Sequence, residues 1–94
     1  MLMITEQRKL DVLIFILAGA LAGDWVVEFN RCWRSASESL NAPRIVVDLT
    51  EVTFVDDLGR EVLGQIMNEG AELIARDVLM KSIVDEIAKE SSVA

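Results

Sequence analysis

The apolar positions of this chain change period along its length, and each change predicts an element. Met1 to Thr5 reads as a short apolar strand, followed by a polar turn over Glu6 to Lys9. Val12 to Ala18 is apolar without a break (Val12, Leu13, Ile14, Phe15, Ile16, Leu17), the pattern of a central strand covered by helices on both sides. Beyond Gly23 the period becomes helical. Val26, Phe29, Trp33, Ala36 and Leu40 form one stripe, with Asp24 predicted as N-cap and Asn41 with Pro43 as the stop. Arg44 to Leu49 is a second buried-type strand, and Thr50 to Asp56 reads as a linking segment. A second helix begins near Asp57, with Leu58, Val62, Leu63, Ile66 and Met67 as its apolar positions and Gly70 just past its C-cap. Ala71 to Ala75 is a short strand. Asp77 caps a third helix carrying Val78, Leu79, Ile83, Val84 and Ile87, and the last four residues read as a frayed end.

The order is ββαβαβα. Each β-α-β step makes a right-handed crossover between parallel strands, and the short first connection makes the first strand an antiparallel edge. The prediction is a single α/β domain over residues 1–94: a small, mixed, mostly parallel sheet of about four strands with helices.

Composition removes several classes of function. The formal charge is −7, which disfavours nucleic acid and anionic lipid, since both need a positive face. Histidine is absent and cysteine occurs once, as Cys32, so His-based catalysis and zinc binding are excluded and no cofactor is expected. A single cysteine fits a reducing, cytoplasmic setting. Arg8, Lys9, the apolar run to Ala22 and the Ala20-Leu21-Ala22-Gly23 end imitate a secretory signal. Glu6 and Asp11 place acid in and beside the basic region, and removal would delete the most apolar strand, so the run is read as a strand. It also falls well short of the roughly 20 residues a membrane helix needs, so no membrane insertion is expected.

The informative stretch is Ile45-Val46-Val47-Asp48-Leu49-Thr50-Glu51-Val52-Thr53-Phe54-Val55-Asp56-Asp57-Leu58-Gly59. It is a buried strand, an apolar hook at Val52 and Phe54, then paired carboxylates and a glycine at a helix start. The unpaired N–H groups there can donate to Asp56 or Asp57 as a cap. This segment resembles the signature of the STAS family of anti-sigma-factor antagonists, a strand ending in an Asp-Leu-like pair followed by Phe-x-Asp-Ser-Ser/Thr-Gly. Leu17-Ala18-Gly19-Ala20-Leu21 resembles the family's Leu-x-Gly-x-Leu, and the element order agrees through the third helix. The family's final strand and helix have no counterpart after Lys89.

In the family, the Ser after the motif Asp is phosphorylated by a partner anti-sigma kinase, and dephosphorylation lets the antagonist bind that kinase and release a sigma factor. The resemblance therefore implies a non-catalytic regulatory module. It maps Asp56 onto the family Asp, Asp57 onto the phosphoacceptor, Leu58 onto the second hydroxyl residue and Gly59 onto the Gly. Asp57 cannot take phosphate from a Ser/Thr kinase; it carries a fixed charge of about one against roughly 1.5–2 for a phosphate. The expected partner loop is Asp56, Asp57, Leu58, Gly59 and Arg60, with Glu51, Thr53 and Trp25 as flanking contacts. The partner classes are a kinase-like anti-sigma regulator or, as in stand-alone STAS subunits, a transporter ATPase; homodimerisation is left open.

Asp48, Asp56 and Asp57 could form a receiver-like phospho-Asp site with Mg²⁺, but the first strands lack the acidic pair and no late lysine-bearing strand follows. Adjacent Asp56 and Asp57 point apart, unlike a glycosidase pair. Trp33 fits the buried stripe, Trp25 lies on its margin, and nothing marks Cys32 as a nucleophile.

Overall fold

The computed structural model describes residues 1–38 and 44–92. Leu40, Asn41 and Pro43 lie outside them, as do residues 93–94. The elements are β1 (Leu2–Lys9), β2 (Val12–Leu21), α1 (Asp24–Ser37), β3 (Arg44–Val55), α2 (Asp57–Asn68), β4 (Glu72–Ile74) and α3 (Val78–Ser92). They form a mixed four-stranded sheet in the order β1-β2-β3-β4, with β1 antiparallel to β2 and the other pairs parallel.

Glu6 to Lys9 is not a turn. These residues pair with Phe15, Ile14, Leu13 and Val12, and the reversal is confined to Leu10 and Asp11. An edge strand tolerates polar side chains because solvent reaches it from its outer side. Likewise Thr50 to Val55 is not a linker but the second half of β3. Register shifts at Ile16/Ala18 and Gly19/Ala20 stretch the spacing of inward residues from two (Val47, Leu49) to three (Val52, Val55), which breaks the period that announces a strand. At the second shift Gly19 has φ 106, and a Cβ there would lie 2.3 Å from the Met1 carbonyl oxygen.

The second helical layer expected over β2 is absent among the described residues. Moving steadily across the sheet from β2 to β3 to β4, right-handed crossovers put α1 and α2 on the same face. One core holds Phe29 and Trp33 of α1, Leu63 and Ile66 of α2 and Met80 and Ile87 of α3 against Leu13, Phe15, Leu17, Val47 and Leu49. Phe15 meets Phe29 edge to face, centroids 5.9 Å apart at 88°. In β2 burial alternates: Leu13, Phe15 and Leu17 are buried, while Ile14 and Ile16 on the other face are half-buried.

The helix ends follow local chemistry. Gly70 N–H donates to the Met67 carbonyl and Ala71 N–H to that of Ile66, a Schellman stop for α2 with Gly70 at φ 104. Asp77 accepts from Met80 N–H at 2.6 Å and starts α3. α3 continues through Ser91 and Ser92, two of the residues expected to fray.

Candidate functional site

β2 and β3 end side by side, with Leu21 paired to Val55, so the α1 and α2 N-termini emerge together. Asp56 is the residue that joins them. It is the N-cap of α2 in an extended conformation (φ −85, ψ −179), and its Oδ1 accepts from Gly59 N–H at 2.7 Å. Its Oδ2 accepts from Gly23 N–H at 2.9 Å, and its own N–H donates to the Leu21 carbonyl at 3.2 Å. The Gly23 and then the Gly59 amide hold the Asp56 carboxyl below its ordinary range. The N-cap expected at Asp24 is instead Gly23, at φ 60 and ψ −135, and no side chain caps α1 from within. Asp24 occupies the first turn, where its charge favours the dipole. Nothing local in the sequence announces the contact from Asp56 to Gly23, because it joins residues 33 apart.

Gly59 is a packing requirement. It is buried, and a Cβ there would stand 2.7 Å from the Leu21 carbonyl oxygen and 2.9 Å from Val55 Cγ1. Only hydrogen lets α2 start this close to the end of β2.

The rest of the loop faces outward. Asp57 is exposed in the first turn of α2. Leu58 is 42% exposed and Trp25 40%, in the first turns of α2 and α1, and Phe54, two residues before the α2 cap, is 56% exposed. Leu58, read as part of the apolar stripe of α2, is thus outside the core, as is Phe54, whereas Val52 is buried. Glu51 and Thr53 are exposed along β3. Arg60 turns towards α3 and pairs with Glu86 at 3.0 Å.

The three acids of a receiver-like site are not gathered. Asp48 accepts from Thr50 N–H at 2.9 Å and Thr50 Oγ1 at 2.5 Å, Asp56 is occupied by two amides, and no metal-holding group of His, Cys, Asp or Glu occurs among the described residues. Cys32 is half-buried and burial pushes its thiol up, the opposite of an activated nucleophile. Among the described residues no helix is long and apolar enough to cross a membrane.

No family model and no curated protein match this sequence. Solved structures do match. One is the anti-sigma factor antagonist SpoIIAA in its unphosphorylated form, with TM-score 0.71 and 15% identity over 86% of this chain and 80% of that one. The fold is STAS-like. A second likeness is to part of Mglu, with TM-score 0.51 and 19% identity over 78% of this chain and 19% of that chain. At such identities the likeness is one of fold, and residue roles rest on the site itself.

Proposed function

We propose that this chain is a non-catalytic regulatory module that binds a protein partner through the start of α2, with Asp57 as a fixed anion in place of a phosphorylatable Ser. The observation that carries the reading is the division of labour between neighbours: Asp56 is consumed by Gly23 and Gly59, while Asp57 is exposed in the first turn of α2 beside the exposed Leu58. Trp25, exposed in the first turn of α1, is the residue type that anchors protein interfaces. The STAS-like fold supports a regulatory role of the kind named for SpoIIAA. Because a carboxylate cannot leave and return, the module binds constitutively, outside any phosphorylation cycle.

The test is affinity capture with wild type, Asp57→Ser and Asp57→Lys as baits, followed by titration of the purified partner. A kinase-fold regulator lost only by the Lys variant supports the anti-sigma reading. A transporter ATPase behaving the same way keeps the surface and changes the pathway. Equal capture by all three baits, or labelling of residues 56–59 by kinase and ATP, contradicts the proposal.

A further inference from the structure

The face of the sheet opposite the helices carries more apolar surface than a solvated face needs. Paired residues share a face, so the strand registers place Met3, Val12, Ile14, Ile16, Val46 and Ile74 together there, with Phe54, paired to Ala20, at its far end. Met3 is 65% exposed, and Ile14, Ile16 and Ile74 are only half-buried. A sheet with one wet face alternates apolar with polar residues; β2 does not, and its sequence is that of a strand between two layers. The chain supplies one of those layers.

Charge indicates what supplies the other. Lys9 and Arg44 flank Val12 at one end of the face, and Asp48 and Glu51 lie beside Ile16 and Ala18 at the other. Glu72, the remaining acid of these strands on the face, pairs with Arg44. Two bases oppose three acids, so little of the net charge of −7 resides here and like-charge repulsion between copies is weak. A twofold axis parallel to the sheets and midway between them, perpendicular to the strands, lays the basic end of one copy over the acidic end of the next while the apolar strips coincide. We propose that a second copy of this chain covers the open face, forming an aligned sheet-on-sheet homodimer that leaves the α2 start of each copy outside the apolar contact.

Sedimentation velocity from micromolar to near-millimolar concentration reads the result. Wild type is expected to dimerise reversibly, Ile14→Lys and Ile16→Lys to be monomeric, and Val78→Lys, on the helical side and 86% exposed, to dimerise like wild type. Met3→Glu and Lys9→Glu change exposed side chains that the fold does not need, and each should weaken the dimer even if the isoleucine variants misfold. A wild type that stays monomeric throughout overturns the inference, as does a dimer unaffected by Met3→Glu and Lys9→Glu. Neither result bears on Asp57 and Leu58, which lie in α2 and not on the sheet.

Discussion

Asp56 and Asp57 are adjacent acids at one helix start, yet they belong to different regions of the molecule. Asp56 is framework: with Gly23, Gly59 and the Leu21 carbonyl it locks two helix N-termini to the ends of two strands. Asp57 is rim: with Trp25, Phe54 and Leu58 it is presented outward on that lock. A backbone step of one residue at a helix start turns one side chain to the amides and the next to solvent, so identical chemistry yields a structural part and a recognition part. Substitutions in the framework should therefore register as stability, and substitutions in the rim as binding.

The largest effect is expected where the framework meets the core. Phe29→Ala removes a fully buried ring packed on Phe15 and should cost about 3–5 kcal/mol in urea denaturation, which leaves a domain of this size marginal. Gly59→Ala forces a methyl against the Leu21 carbonyl and should cost about 1–3 kcal/mol, although the side chain gained is small. Partner affinity should fall in both only as far as folding does.

Asp56→Asn separates charge from shape. The folded carboxyl titrates below its unfolded value, so its contribution is complete above the unfolded pKa of about 3.9 and is lost as pH falls through the lower folded value. Wild type should lose stability on acidification more steeply than Asp56→Asn, which begins less stable at neutral pH; urea midpoints between neutral pH and about pH 3 measure the difference. Parallel curves would remove Asp56 from the framework.

The smallest stability effect belongs to the rim. Asp57→Lys exchanges a favourable charge near the helix dipole for an unfavourable one, a cost below about 1–2 kcal/mol, and Asp57→Ser should cost less. Thermal melts of the two variants check this, and against these small shifts the loss of partner binding by Asp57→Lys should be large.

Much of the framework was legible in the sequence. Element order, the buried β2 and β3 starts, the Gly70 stop and the Asp77 cap all follow from local periodicity and capping chemistry. The misreadings share a cause: they depend on contacts between distant residues. The second half of β3 is hidden by register shifts against β2, the polar half of β1 by its edge position, and the true α1 cap by a bond arriving from Asp56. The one-sided helical layer follows from strand order, which apolarity of β2 cannot reveal. At the site, local chemistry pointed to Asp56 and Asp57 together, but only the three-dimensional arrangement distinguishes their roles and turns Leu58 and Phe54 outward.

The direct measurement is amide chemical-shift mapping of the isotope-labelled chain titrated with its captured partner. Perturbation concentrated at Trp25, Phe54, Asp57 and Leu58, and absent in Asp57→Lys, is the predicted result. Perturbation centred instead on α3 or on the Ile14–Ile16 face, with residues 54–58 silent, would contradict a partner surface at the start of α2.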